Sequence, residues 1–333
     1  MTQTHPADNQ QLPPFPVAGG LHFRPLAAAD VDGWLELMAR IEAAEQVPWR
    51  TQRSELVAVV EDARNPVAEN SVGGFDAAGV LRALGRVSKN PDGEKAHVMG
   101  GVDPEWRRRG VGSAILAWQE ARVLQRFATD AQGGPLARAY GESDNAATTA
   151  LLAGAGYSVV RYFSEMLRPL AGAPAVPLPA GIHVVSYTPD MNEAVRLAHN
   201  EAFADHWGSE PRSPEQWAVQ MAHEHLRRDL STVALDAASG EVAGYQIATV
   251  DLDMAAESGR AEGYTELLGV RRAWRGRGIA PAMLADAMAR FAAAGLDHAA
   301  LDVDTENPTG ALGLYEGMGY KPIRSSAAWD KSL

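Results

Sequence analysis

The chain has 333 residues and no cysteine, with 30 basic and 42 acidic side chains giving a formal net charge of −12. Disulfides, thiolate metal centres and an acyl-cysteine intermediate are therefore excluded, and nucleic acid is a disfavoured partner for so acidic a protein. At roughly 150 residues per domain the length corresponds to two domains, each large enough for its own core. Charge is uneven along the chain. Residues 1–170 carry 17 basic and 20 acidic side chains, net −3, and residues 171–333 carry 13 and 22, net −9. The second half is thus the one expected to attract a small cationic partner. Residues 1–19 are polar and Pro-rich and read as a flexible tail. With no secretory signal and no membrane-spanning run in the sequence, a cytoplasmic protein without a membrane partner is expected.

In chain order, Leu21–Pro25 reads as a strand and Asp30 as an N-cap; Trp34, Leu37, Met38 and Ile41 then fall at i, i+3, i+4 and i+7 of a helix. Glu55–Ala63 reads as a second helix, stopped before Pro66. Leu81–Val87 and His97–Val102 read as strands around the turn at Asn90-Pro91-Asp92-Gly93. Next comes Val102-Asp103-Pro104-Glu105-Trp106-Arg107-Arg108-Arg109-Gly110-Val111-Gly112, an Arg/Gly loop that opens a helix through about Phe127. A strand at Leu136–Tyr140, a helix at Asn145–Ala153 and a strand from Tyr157 to about Leu167 close the first half. Residues 171–180, Pro-rich and uncharged, form the linker. The order β-α-α-β-β-α-β-α-β predicts a mixed sheet flanked by helices.

The second half repeats this course. Gly181–Ser186 reads as the strand, and Asp190 with Glu193 as a capping box before Met191, Ala194, Val195 and Ala198. The loop Phe203–Pro211 is aromatic and acidic, with His206, Trp207 and Glu210. His223-Glu224-His225 is no metal site on this reading, since i, i+2 side chains on a helix point apart. Thr265–Val270 reads as a strand that places Glu266, Leu268 and Val270 on one face by alternation. It ends in Val270-Arg271-Arg272-Ala273-Trp274-Arg275-Gly276-Arg277-Gly278-Ile279-Ala280, followed by a helix from Pro281 with Leu284, Ala287, Met288 and Phe291 on one stripe. A helix start presents unpaired N–H groups and the positive end of a dipole, and glycines let an anion reach them. Arg271, Arg272, Arg275 and Arg277 add charge, so the loop reads as a diphosphate cradle. A P-loop is excluded because no Gly-Lys-Ser or Gly-Lys-Thr follows, and a dinucleotide fingerprint because Pro281 stands where its third small residue belongs.

Arg107 and Arg275 are 168 residues apart, Gly20-Leu21-His22 matches Gly181-Ile182-His183 at 161, and Gly156-Tyr157 matches Gly319-Tyr320 at 163. A period this long is a duplicated domain. The patterns Arg107-x-x-Gly110-x-Gly112 and Arg275-x-x-Gly278-x-Ala280 resemble the acetyl-CoA pyrophosphate loop of the GNAT acetyltransferases. The segment from Asn307 through Tyr315 to Gly319-Tyr320 is similar to that family's region after the fifth strand. The layout resembles that of two-domain GNATs of high-GC bacteria such as mycothiol synthase. The resemblance implies an α/β fold of two tandem GNAT domains, at 20–170 and 181–333, acting with acetyl-CoA and no metal on the primary amine of a small acceptor.

By the same resemblance, Leu268, Gly269, Val270, Arg275, Gly276, Arg277, Gly278, Ile279, Ala280 and Asn307 bind the donor in the second domain. Val102, Arg107, Gly110 and Gly112 are their counterparts in the first. Tyr315 is the expected general acid, Glu266 the expected base with Asp302 and Asp304 as alternatives, and His206, Trp207 and Glu210 the expected acceptor contacts. Counting back five places from Tyr157, as Tyr315 lies five before Tyr320, gives Leu152, which cannot protonate a thiolate. The first domain is therefore expected to be structural or CoA-binding and the second catalytic. A non-catalytic acyl-CoA sensor or scaffold is the alternative, and a monomer or homodimer is expected.

Overall fold

Period-2 and period-3.6 patterns become strands and helices close to their expected places in the computed structural model, which describes residues 11–47, 49–91, 93–129, 133–252, 255–256, 259–307 and 310–333. The first half runs β1 (His22–Arg24), α1 (Val31–Glu45), α2 (Arg53–Glu61), α3 (Val67–Asn70), β2 (Ser71–Phe75), β3 (Leu81–Ser88), β4 (Ala96–Val102), α4 (Val111–Thr129), β5 (Leu136–Glu142), α5 (Ala146–Gly154) and β6 (Ser158–Pro169). The second runs β7 (Ile182–Ser186), α6 (Asn192–Ala202), α7 (Pro214–Met221), β8 (Thr232–Asp236), β9 (Val242–Thr249), β10 (Glu262–Val270), α8 (Ile279–Ala293), β11 (His298–Asp304), α9 (Ala311–Gly317) and β12 (Lys321–Ser332). Neither expected cap bonds the long helix that follows it: Asp30 stands at the N-cap of α1 but its carboxylate accepts the Ala27 N–H at 2.8 Å, and Met191, not Asp190, holds the N-cap position of α6. Asp30 takes a bidentate bond from Arg24 at 2.7 and 2.8 Å, and Glu193 is held by Arg196 three residues on, at 2.5 and 2.8 Å.

Packing divides the chain differently from its sequence. One compact unit holds the described residues up to Tyr140 together with Ala146–Ser158 and Trp329–Leu333; the other holds Gly141–Asn145 and Val159–Ala328. The strand that ends the first half lies in the second unit, and the last residues of the strand that ends the second half lie in the first. β6 is paired antiparallel with β11 over Phe163–Pro169 in the second unit. The end of β12 belongs to the first unit, where Asp330 takes a bidentate bond from Arg138 of β5 at 2.7 Å. The linker at 171–180 is thus a boundary of sequence and not of packing.

In the first unit the strands follow the order β1-β2-β3-β4-β5. Trp34, Leu37 and Ile41 of α1 pack with Leu56, Phe75, Leu81 and Leu84 on one face, and Val111, Ile115 and Trp118 of α4 pack with Phe23, Val72 and Ala83 on the other. Residues 11–19, expected to be free tail, lie along α4. The Trp118 indole donates to the Pro13 carbonyl at 3.2 Å and the Gln125 amide to that of Gln11 at 3.0 Å. Residues 1–10 lie outside the described residues.

In the second unit the order is β12-β6-β11-β10-β9-β8-β7. One face is covered by α8 and α9, whose Leu284, Met288, Phe291 and Tyr315 pack with Met166, Leu301 and Val303. The other is covered by α6 and α7, whose Val195, Ala198, Trp217 and Met221 pack with Tyr245, Ile247 and Leu267. Gly263 in β10 is there for space: a Cβ on it would lie 2.4 Å from the Phe291 ring. His223-Glu224-His225 lies in a turn beyond the end of α7 and not on a helix; the two imidazole rings are 5.4 Å apart. Among the described residues, no helix is long and apolar enough to cross a membrane, and no three His, Asp or Glu side chains form a metal-binding group.

Candidate active site

The site begins where two strands part. Parallel β10 and β11 are in register from Glu262↔His298 to Tyr264↔Ala300, and the ladder ends there although β10 runs to Val270 and β11 to Asp304. On its other edge β10 stays paired with β9 as far as Val270↔Gly244. Backbone groups at Leu268, Gly269 and Val270 therefore border an opening on the β11 side, where an extended amide-bearing chain can take up their hydrogen bonds. The first unit shows the same split: β4 and β5 are in register only at Ala96↔Ala137 and His97↔Arg138.

Next to the split lies the loop into α8. Gly276 and Gly278 have φ of +74° and +81°, a left-handed backbone that glycine adopts at least cost, and a Cβ built on either meets nothing within 4 Å. The loop thus presents backbone and open space at the start of a 15-residue helix. The arginines of the loop all make contacts within the protein. Arg271 pairs with Glu201 at 2.6 Å, Arg272 with Asp205 at 2.5 Å, and Arg277 donates to the Ala273 carbonyl at 3.0 Å. Arg275 donates to the carbonyls of Val270 at 3.2 Å and Ala202 at 2.8 Å. These contacts brace the loop. The first unit repeats the brace: Arg107 donates to Val102, five residues back, at 3.1 Å and pairs with Glu45 at 2.6 Å. Gly110 is again left-handed at +75° and open, and Gly112 opens α4 with Leu151 at 3.4 Å from its would-be Cβ.

Glu266 sits at a β-bulge. Thr265 pairs with Ala248 and Leu267 with Ile247, so Glu266 is the extra residue. The insertion breaks the alternation expected from the sequence. Leu267 joins the core under α6 and α7, while Leu268 and Val270 pack toward α8. Glu266 thus leaves the face of Leu268 and Val270, and its charge is felt by Arg212, which precedes α7, and by Tyr264. Of the two alternative bases, Asp304 is buried and tied to Arg161 at 3.1 Å. Asp302 is solvent-reachable but enclosed; desolvation pushes its carboxyl up, against the opposing pull of a hydrogen bond from the Tyr264 hydroxyl.

Tyr315 projects from α9 into the core, edge-on to Tyr320 with centroids 6.1 Å apart, and burial pushes its hydroxyl up to about 12. It stays protonated at neutral pH, as a proton donor must. Leu152 occupies the matching turn of α5 in the first unit and is buried. Asn307 forms the turn after β11, its N–H bonded to Asp304 O and its carbonyl to Gly310 N–H, each at 3.1 Å. Trp207 stands 6.2 Å from the Phe163 ring, with the Arg161 guanidinium 5.3 Å from its own ring, which docks the α6–α7 loop onto β6. His206 Nδ1 lies 3.1 Å from the Trp207 carbonyl, and Glu210 is partly buried farther along that loop. Buried His199 bonds Tyr245 at 2.7 Å and stacks on Phe203; desolvation, with Arg212 and His206 nearby, lowers its pKa to about 3.

Reading the sequence misses Glu165, Phe163, Tyr264 and Arg212. Tyr264 and Glu165 lie in regular alternation, which marks a face and not what it meets.

The profile of the acetyltransferase (GNAT) family matches residues 192–320. A mycothiol acetyltransferase of Kineococcus radiotolerans is 32% identical over 253 residues, 73% of this chain and 75% of that one. The chain belongs to the GNAT acetyltransferase family. A GCN5-related N-acetyltransferase from Sphaerobacter thermophilus superposes on this GNAT with a TM-score of 0.72 at 25% identity over 96% of both chains. A tandem GNAT protein from the clavulanic acid biosynthesis pathway shares the fold, with a TM-score of 0.65 at 20% identity over 93% of this chain and 98% of that one. This GNAT is an acyltransferase, of a family whose acetyl donor is acetyl-CoA, and it carries the tandem arrangement expected from its repeats.

Proposed function

We propose that the second unit of this GNAT transfers an acetyl group from acetyl-CoA directly to the primary amine of a small, cationic acceptor, and that the first unit is structural or holds CoA without chemistry. What supports this reading is the strand split itself, which leaves the Leu268–Val270 stretch without β11 beside it, next to an open glycine loop, together with buried Tyr315 of α9 and the carboxylates Glu266 of β10 and Asp302 of β11. An alkyl ammonium has a pKa near ~10.4 and must lose a proton before attack. Backbone N–H groups at Leu268–Val270 polarise the thioester carbonyl, the C–N bond forms as the C–S bond breaks, and Tyr315 Oη gives its proton to the leaving thiolate. Glu266 holds the ammonium by charge, and His206, Trp207 and Glu210 wall the acceptor side. The name of the relative, a mycothiol acetyltransferase, supports a small-molecule acceptor.

Leu152 in place of a tyrosine is what favours a chemically silent first unit. Calorimetric titration of acetyl-CoA into wild type and Gly278→Asp, which puts a carboxylate in the second cradle, tests the reading. It expects one equivalent in the second cradle, lost in the variant. No binding to wild type would end it.

A further inference from the structure

The second unit's site contains a strand from the first half of the chain. β6 lies beside β11 with Glu165 directly opposite Asp302, and the α6–α7 loop rests on β6 through Phe163 and Trp207. Asp302 is two residues past Ala300, where β10 and β11 part, so Glu165 lies one strand, about 4.8 Å, from the mouth of the split. It is on the face toward α6 and α7: its neighbour Met166 packs under α8 with Leu301, and alternation sends Glu165 and Asp302 the other way.

Resting on the acetyl-transfer reading, we propose that Glu165 is a catalytic residue, the carboxylate that takes the proton from the acceptor's ammonium group before attack. The step balances: R–NH3+ gives one proton to Glu165, the free amine forms the C–N bond as C–S breaks, Tyr315 protonates the thiolate, the second proton shed by the nitrogen as the amide forms is passed through solvent to the Tyr315 phenolate, and Glu165 returns its own proton to solvent. Glu266 has a different task because the Arg212 guanidinium is near it. Glu165 faces Asp302 of β11, Glu262 and Tyr264 of β10, Arg260 before β10 and Arg324 of β12. Burial first, then the carboxylates of Asp302 and Glu262, push its carboxyl up to about 7 against the pull of Arg324 and Arg260. Glu142, which Arg324 holds at 3.4 Å, keeps that guanidinium shared. A base is most effective with a pKa close to the working pH.

The test measures acetyl-CoA binding by calorimetry and kcat/KM from pH 5.5 to 9, with tyramine, spermidine, glucosamine and S-methylcysteine amide as acceptors, on the full chain. In wild type kcat/KM rises through an acidic limb near pH 7. Glu165→Gln keeps acetyl-CoA binding, lowers kcat/KM by about 10²-fold and erases the limb, and Glu165→Asp restores part of both. Asp302→Asn removes a like charge and moves the limb to lower pH; this holds as a test if Glu165→Gln does not fold. A folded Glu165→Gln with the wild-type rate and limb, or a limb unmoved in Asp302→Asn, overturns the role of Glu165 and leaves acetyl transfer standing. Acetyl-CoA binding with no transfer to any of the four amines overturns both.

Discussion

The loops Arg107–Gly112 and Arg275–Ala280 have the same skeleton. Each arginine donates to the carbonyl five residues back, Val102 or Val270, and each loop turns through left-handed residues into a long helix. They differ at the first of those residues. Gly276 has φ +74°, but Arg108, 168 residues earlier, has φ +62° with a full side chain. The halves diverge again at Leu152 against Tyr315, and at Met38 against His199, 161 residues apart. The bracing of the loop is kept in both halves, whereas a tyrosine at the position of Tyr315 is present in one. On the proposed function, duplication has left two cradles and a single set of chemistry.

The largest expected effect lies at the second difference. Tyr315→Phe lowers kcat by about 10²-fold or more with acetyl-CoA affinity retained; a change confined to KM would place Tyr315 in binding instead. Next is pH. His199 is neutral in the fold with a pKa of about 3, against about 6.5 unfolded, so its stabilising share is complete above pH 6.5. As pH falls below 6.5 the unfolded chain binds the proton first, and stability drops by about 1.4 kcal/mol per unit toward pH 3. Urea unfolding at pH 7.5 and 5 should show this slope in wild type and a shallower one in His199→Gln.

Packing gives smaller effects. Gly263→Ala drives a methyl into the Phe291 ring and should cost about 1–3 kcal/mol in urea melts. The loop comparison can also be inverted. Gly276→Ala should cost about 1–2 kcal/mol, while Arg108→Gly should cost little or stabilise by a few tenths. A stabilised Gly276→Ala would mean that the two turns are not equivalent.

Much of this was legible in the sequence. The Arg/Gly loops and their repeat depend on local spacing, Tyr315 on the resemblance of its surroundings to the family's motif, and the helices around Trp34 and Leu284 on periodicity. Ser71–Phe75 was harder to assign: two glycines in five residues erase its alternation, and a Cβ on Gly73 would lie 2.5 Å from the Leu26 side chain. The face of Glu266 was misread because Thr265-Glu266-Leu267 alternates on paper, and a bulge is decided by what β9 pairs with. Glu165 was invisible for a tertiary reason. Its strand ends the first half in sequence but pairs with β11, an exchange that no local pattern in the chain encodes.

The most direct test of the contrast between the halves is kcat/KM for acetyl transfer to an amine in Gly110→Asp and Gly278→Asp, each checked for native circular dichroism. The account predicts that Gly278→Asp abolishes turnover and Gly110→Asp leaves it unchanged. Loss of turnover in a folded Gly110→Asp, with Gly278→Asp active, would contradict it.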